Sequence, residues 1–274
     1  MPTIPPDRTP PSGRSPEASH QQRDMAESFG SDAERYDRAR PRYPDALIER
    51  IVAGSPGPAV LDVGCGTGIA ARQFRAAGCT VLGVDADARM AAFARRAGLE
   101  TEVAPFETWD ARGRVFDAVV AAQTWHWIDP VAGAARAAAV LRPGGRLAAL
   151  WNVFRPSPRV AEAFAAVHRR VVPDAPLNPW TATAPDALLD RAADGMRRAG
   201  AFGAPERWCV PWERPYTRAQ WLDQLPTSGL TARLSPAALE ELLAATGAAV
   251  DAMGGSFTMR YEAIAVTAVR TGAP

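Results

Sequence analysis

The sequence predicts an α/β fold, in which a doubly wound and mostly parallel sheet carries helices on both faces. A short β-branched run breaks into a glycine-rich turn at residues 60–68 (VLDVGCGTG), and a helical pattern follows it. Strand-like runs near residues 59–63, 80–85, 100–104, 115–121 and 146–152 alternate with helical patterns, and two more strands are expected near 207–210 and 257–269. Such alternation is typical of a parallel sheet, and ligands bind at the carboxyl ends of its strands.

Composition divides the chain into a tail, a leader and a main domain. Residues 1–24 are rich in proline, serine and charge and have little to bury, which predicts a disordered tail. Residues 25–55 are expected to form an N-terminal helical lid segment, and residues 56–274 the main domain. Two connections, near 154–184 and 211–255, exceed simple loops. Long connections beside a ligand-binding edge are usually functional, so we expect helical lid insertions there.

Two helices are expected in the lid segment. Ser31 with Glu34 three residues later predicts a capping box for a helix that continues through Arg38. Pro44 then begins a second helix, and Gly54 ends it.

The glycine-rich turn indicates a ligand that touches the backbone. Glycines 64, 66 and 68 lack the Cβ atoms that would block close approach, and they tolerate positive φ. A dinucleotide site uses G-x-G-x-x-G and places a pyrophosphate at the following helix. Here the spacing is G-x-G-x-G and Asp62 precedes it. That carboxylate would repel a phosphate but would tolerate a cationic ligand.

A second carboxylate narrows the choice of ligand. Asp85 ends the second strand, about twenty residues after the turn, where an acidic side chain accepts hydrogen bonds from a ribose diol. A ribose combined with a cation suggests S-adenosylmethionine.

Several segments in this order resemble the class I S-adenosylmethionine-dependent methyltransferases. These are the D-x-G-x-G-x-G run that begins at Asp62, the acidic end of the second strand, and the segments 104–110 (APFETWD), 116–127 (FDAVVAAQTWHW) and 141–150 (LRPGGRLAAL). The leader at 29–44 (FGSDAERYDRARPRYP) and the A-Q-x-x-H-W pattern resemble a small-molecule subgroup that includes trans-aconitate and cantharidin methyltransferases. The resemblance implies a Rossmann-like sheet of seven strands, whose antiparallel last strand lies in an edge hairpin.

The resemblance also implies which residues bind the cofactor. The turn with Asp62 should line its methionine part, Asp85 its ribose, Phe106 and Glu107 its adenine, and Gln123 the neighbourhood of its methyl group. Tyr36 and Arg40 of the leader are candidates for its carboxylate or for the substrate. The full expected set is Tyr36, Arg40, Asp62, Gly64, Cys65, Gly66, Gly68, Asp85, Ala86, Phe106, Glu107 and Gln123.

His126 is the candidate catalytic residue. His20 lies in the predicted tail and His168 in a helical run, so neither is placed for chemistry. A histidine titrates near neutral pH, so His126 could take a proton from a substrate hydroxyl. Two other roles stay open: orienting a substrate carboxylate that needs no deprotonation, and a purely structural role.

Aromatic and polar residues near the same strand ends are expected to form the substrate pocket. Arg155 would favour an anionic substrate there, and Trp180 could complete the aromatic wall. The expected substrate residues are Trp125, Trp127, Trp151, Asn152 and Arg155.

Composition excludes several classes of protein. With 31 basic and 30 acidic residues, the chain is not built to bind nucleic acid through phosphate neutralisation. It has no apolar run near the roughly 20 residues that span a bilayer and no signal core, and its three cysteines have no ligand spacing. We expect a cytoplasmic monomer or homodimer without a metal, a nucleic-acid partner or a membrane partner.

The sequence therefore predicts a methyltransferase that transfers a methyl group to a small-molecule acceptor, through an oxygen nucleophile that is a carboxylate or a hydroxyl. One alternative is the same fold with a cyclase or binding role. The less favoured alternative is a nicotinamide-dependent oxidoreductase, because Asp62 and the glycine spacing fit it poorly.

Overall fold

The computed structural model describes residues 29–173, 178–180, 186–229, 231 and 234–272. The predicted disordered tail lies outside this part of the chain. The described strands form one seven-stranded sheet in the order β3-β2-β1-β4-β5-β7-β6. They are β1 (Ala59–Val63), β2 (Thr80–Asp85), β3 (Glu100–Val103), β4 (Phe116–Ala122), β5 (Leu141–Phe154), β6 (Glu206–Thr217) and β7 (Ser256–Val269).

Helices cover the sheet and extend beyond its carboxyl edge. None of those in the described ranges is both long and apolar enough to cross a membrane. They are α1 (Ala33–Ala39), α2 (Asp45–Ala53), α3 (Ile69–Ala76), α4 (Ala88–Arg96), α5 (Pro130–Val140), α6 (Pro158–Val171), α7 (Asp186–Arg198), α8 (Arg218–Gln224) and α9 (Pro236–Ala252).

The strand order confirms the predicted doubly wound, mostly parallel sheet. β1 pairs in parallel with β2 on one side and with β4 on the other, so the order reverses between β1 and β4. β7 is antiparallel to both of its neighbours, as expected for the last strand. The reversal places the turn after β1 beside the turn after β4, where a ligand-binding crevice is expected.

β6 and β7 form the predicted antiparallel pair at one edge of the sheet. β7 lies inside the sheet between β5 and β6, and the edge strand is β6. The connection between β6 and β7 also contains α8 and α9. The predicted insertion at 211–255 begins inside β6, because Pro211 and Pro215 look like loop residues in the sequence. An edge strand tolerates proline, whose missing N–H can face away from the ladder.

Other element boundaries need smaller corrections. Asp32, and not Ser31, caps α1, because its Oδ1 accepts a hydrogen bond from the backbone N–H of Arg35 at 3.0 Å. The predicted second helix is confirmed, with Pro44 as its N-cap and Gly54 as its C-cap. β5 starts at Leu141, five residues before the predicted position near 146, with an irregular register opposite β4.

Two apolar layers hold the helices on the sheet, and an aromatic cluster holds the insertions. Leu47 and Ile51 of α2 pack with Phe74 of α3 on one face. Beyond the sheet edge, Phe164 of α6 stacks on Trp221 of α8 with ring centroids 5.5 Å apart. Trp180 packs on the same Phe164, so this ring joins the two insertions into one body next to the carboxyl edge.

Candidate active site

A cavity of about 380 Å³ opens at the carboxyl ends of β1, β2 and β4. A smaller cavity of about 70 Å³ adjoins it, and the two share wall residues from the leader and from both turns. The predicted residues that line one or both cavities are Tyr36, Arg40, Gly64, Cys65, Gly66, Asp85, Ala86, Phe106, Glu107, Gln123, His126, Trp127 and Asn152.

The turn after β1 depends on its glycines for three different reasons. Gly64 has φ +62°, and a Cβ atom there would lie 2.1 Å from Cγ2 of Thr124. Gly66 has φ +55°, and its Cβ atom would meet nothing within 4 Å. Because Gly66 lines both cavities, that atom would stand in the cavity itself. Gly68 does not line the cavity; it is the N-cap of α3, with φ +88°.

Asp85 is fixed in place by the backbone around it. Its Oδ2 accepts a hydrogen bond from the N–H of Gly66 at 2.7 Å, and its Oδ1 accepts one from the N–H of Asp87 at 2.8 Å. Burial raises the pKa of the carboxyl group, and these two backbone donors oppose that shift. The side chain therefore presents acceptor oxygens to the cavity in a set orientation.

Asp62 lies beneath the turn and does not line the cavity. It is fully buried, and within the described ranges neither carboxyl oxygen has a hydrogen-bond partner of normal geometry. Burial, together with the nearby charge of Asp85, raises the pKa of Asp62 to about 8. The ligand-free protein thus holds this carboxyl group mostly protonated at neutral pH.

His126 is supported from behind by Trp151. The indole Nε1 of Trp151 donates a hydrogen bond to Nδ1 of His126 at 3.3 Å. Burial, together with the positive charges of Arg40 and Arg191, lowers the pKa of His126 to about 4. His126 is therefore a neutral imidazole at pH 7, and its ring centroid lies 4.6 Å from that of Trp127.

Four of the aromatic and charged residues expected around the substrate lie elsewhere. Trp125 and Trp151 are core residues, 2% and 3% exposed. Trp180 belongs to the aromatic cluster, and Arg155 forms an ion pair with Glu262 at 2.7 Å. For Trp125 the reason is local: residues 125–127 form a 3-10 turn, in which successive side chains diverge by a third of a revolution.

The sequence interpretation missed several wall residues. Thr124 lines both cavities, and its hydroxyl donates to the carbonyl oxygen of Gly64 at 3.0 Å or to that of Ala122 at 3.1 Å. Thr124 could have been predicted as a wall residue from the sequence, because it directly follows Gln123 at the end of the fourth strand. Met90, Ile128 and Gly229 also line the larger cavity. Gly229 comes from the second insertion, and no local pattern points to it.

The leader is attached both to the main domain and to the second insertion. Tyr43 and Gln73 of α3 form reciprocal hydrogen bonds of 3.0 and 2.7 Å. Arg38 donates to both carboxylate oxygens of Asp223 in α8 at 2.9 Å. Tyr36 and Arg40, which lie in the same segment, are thereby held in the cavity wall.

Comparisons with known proteins agree with this geometry. Residues 61–149 match the model of a family described as "Methyltransferase domain". An uncharacterized methyltransferase of Mycobacterium bovis is 40% identical over 133 residues, which cover 47% of this chain and 54% of that protein. A malonyl-[acyl-carrier protein] O-methyltransferase of Enterobacter lignolyticus is 32% identical over 152 residues, 53% of this chain and 60% of that one. The chain thus spans little more than half the length of these curated relatives.

A solved structure from Anaeromyxobacter dehalogenans, described as a type II methyltransferase, has the same fold. It superposes with a TM-score of 0.64 at 24% sequence identity, over 85% of this chain and 99% of that one. The match at 61–149 contains the glycine-rich turn, Asp85 and the turn after β4. Residues 61–149 are therefore similar to a methyltransferase domain, and the chain has the Rossmann-like fold of that solved methyltransferase.

Proposed function

We propose that this protein transfers the methyl group of S-adenosylmethionine to an oxygen atom, carboxylate or hydroxyl, of a small molecule. The single observation that carries the proposal is the turn after β1. Gly66 leaves open space where a side chain would stand, and its N–H orients Asp85 at the wall of the 380 Å³ cavity. The likeness to the trans-aconitate subgroup stays a prediction.

The chemistry of the cavity wall supports this cofactor. Asp85 would accept hydrogen bonds from the ribose, and Phe106 and Glu107 would contact the adenine. The Nε of Arg40 is buried and has no hydrogen-bond partner among the described residues, so it offers a donor to the cofactor carboxylate. When bound, the cofactor supplies a methyl group already activated on a sulfonium. The protein then has to align the acceptor and exclude water.

The walls also favour a small acceptor. The cavity is bounded by the leader, by Trp127 and by Gly229 of the second insertion. A wall built from several segments encloses a small molecule more readily than a protein or nucleic-acid surface. The relative from Enterobacter lignolyticus is named an O-methyltransferase, which supports an oxygen acceptor here.

The proposal is tested by incubating the full chain with labelled S-adenosylmethionine and a small-molecule extract, followed by mass spectrometry. We expect a labelled small molecule with the wild type and much less with Asp85→Ala, which removes the ribose acceptor at a cost of about 1 to 3 kcal/mol. Label on protein or RNA would contradict the small-molecule acceptor. Unlabelled conversion of a small molecule would favour the cyclase alternative.

We further propose that the leader is a lid over the cofactor. Removing the residues before Pro44 should weaken S-adenosylhomocysteine binding by about 10-fold or more, because Tyr36 and Arg40 leave the cavity wall. Removing only the residues before Asp24 is the matched control and should leave the affinity unchanged. Calorimetry that finds equal affinity for both truncated chains would contradict the lid role.

A further inference from the structure

We infer that the acceptor is a carboxylic acid that arrives ionised, and that His126, held by Trp151, serves it as a hydrogen-bond donor and not as a base. The inference rests on the proposed function and narrows its acceptor class. It also assigns Trp151 a positioning role behind the histidine.

The first step is the tautomer of His126. An indole N–H can only donate, so the contact from Nε1 of Trp151 requires an unprotonated Nδ1 on His126. A neutral imidazole whose Nδ1 is unprotonated carries its proton on Nε2. Both nitrogens are then unsuited to removing a proton: Nδ1 is occupied by the indole, and Nε2 is already protonated.

The second step is the charge of the ring. His126 is half-buried between cationic groups, Arg40 on the leader and Arg191 on α7, which keep it neutral at physiological pH. A neutral Nε2–H donor stabilises an anion without transferring a proton to it. The other titratable or charged groups that line the large cavity with His126 are Tyr36, Arg40, Asp85, Asp87 and Glu107, and Arg191 lines a separate small cavity behind the histidine.

The third step is that no carboxylate among the described wall residues is placed to act as a base near His126: two are already hydrogen-bonded, and the third lies far from the histidine along the sheet. Asp85 accepts from two backbone N–H groups, and Asp87 is hydrogen-bonded to Arg89. Glu107 follows β3, which is separated from β4 by two strands, β2 and β1. A hydroxyl acceptor would need a base near His126, whereas a carboxylic acid, with a pKa of about 4, is ionised without one.

The fourth step is a cation on the far side of His126. Arg191 and His126 line a small cavity of about 10 Å³ together. Within the described ranges, the half-buried guanidinium of Arg191 has no ion pair or hydrogen bond. Its positive charge therefore lies behind His126, where it keeps the imidazole neutral and favours an anion on the cavity side of the ring.

The transfer balances without a proton. The acceptor oxygen forms a bond to the methyl carbon with one of its lone pairs, the carbon–sulfur bond breaks, and its electron pair stays on sulfur. A negative acceptor and a positive donor give two neutral groups, which a poorly solvated cavity favours. The product is a methyl ester.

The tautomer can be measured in the full chain without substrate. Long-range proton–nitrogen NMR of protein labelled with ¹⁵N-histidine should show His126 as the Nε2–H tautomer, unchanged between about pH 6 and 8. The chain has three histidines, and His126→Gln identifies the signal. Trp151→Phe removes the indole donor, so His126 should then populate both the Nε2–H and the Nδ1–H tautomers. An Nδ1–H tautomer, or an imidazolium that titrates near pH 6.5, would overturn the inference.

The acceptor class is tested on the labelled product of the extract reaction. Mild alkali should release the label as methanol, because it cleaves methyl esters and leaves methyl ethers intact. His126→Gln, which keeps a donor, should retain more activity than His126→Leu, which should lose about 10-fold to 100-fold. Arg191→Gln should raise the KM for the acid, and Arg198→Gln on the same helix should not.

The outcomes separate the two proposals. Alkali-stable label would overturn the carboxylate acceptor and leave methyl transfer intact. Equal activity of the Gln and Leu variants would overturn the donor role of His126. Absence of label transfer to any molecule would remove the proposed function and the acceptor class with it, whatever the tautomer of His126.

Discussion

Asp62→Asn is expected to raise the melting temperature of the ligand-free protein, and to raise it more at pH 8 than at pH 5. The folded chain holds a proton on Asp62 up to about pH 8, whereas the unfolded carboxyl group has an ordinary pKa of 3.8. Between these values the unfolded state binds fewer protons, so the wild type loses stability as pH rises. Asparagine removes this penalty, which the two pKa values put at about 4 kcal/mol at pH 7, equivalent to about 8 to 16 °C in melting temperature.

Asp117→Asn is the matched control for this prediction. Asp117 is also buried, but its carboxylate accepts from the N–H of Ala59 at 2.9 Å and from Arg142 at 2.7 Å. Losing this carboxylate should lower the melting temperature, which is the opposite of the change expected for Asp62→Asn. Thermal denaturation at several pH values measures both variants. A pH-independent difference between Asp62→Asn and the wild type, or a lower melting temperature at pH 8, would contradict the burial argument.

Gly66→Ala is expected to abolish measurable binding of S-adenosylmethionine while the protein stays folded. The added methyl group stands in the cavity, and alanine at φ +55° costs about 1 kcal/mol of stability. Gly200→Ala, with φ +71° and open space around it, carries a similar backbone cost away from the site. We expect the two variants to melt at similar temperatures and only the first to lose the cofactor.

Gly64→Ala completes that comparison. Its Cβ atom would overlap Thr124, so it should cost about 3 kcal/mol or more and lower the melting temperature well below that of the other two variants. Calorimetry for binding and thermal denaturation for stability separate the three glycines. Normal affinity in Gly66→Ala would show that the open space at this turn does not belong to the cofactor.

Much of the fold was predictable because it depends on local pattern. β1 and β2 lie where the sequence predicts them, since buried parallel strands are short apolar runs bounded by glycine and polar residues. β6 was predicted too short for the opposite reason: it is an edge strand with alternating burial and two prolines. Its length depends on pairing with β7, which no local pattern in β6 reveals.

In the candidate site too, residues placed by local geometry were predictable from the sequence, whereas residues placed by packing between distant segments were not. Gly66 and Asp85 are recognisable in sequence, because their geometry arises within one turn and one strand end. Trp151 was expected in the pocket wall, whereas the structure places it behind His126. Arg191 was not singled out, since only the packing of α7 beside the turn after β4 brings it there. Contacts between distant segments are not encoded in any short motif.

The position of β7 has a consequence for synthesis. β5 can pair with β4 along one edge as soon as both strands have left the ribosome. Its other edge stays unpaired until β7, the last of the described strands, has been synthesised. During that interval an apolar strand has one unpaired edge, which is a template for association with other chains. Arg38 in the leader likewise cannot form its ion pair until Asp223 has been synthesised. A nascent chain released before β7 would therefore carry the complete glycine-rich turn and still be prone to aggregate.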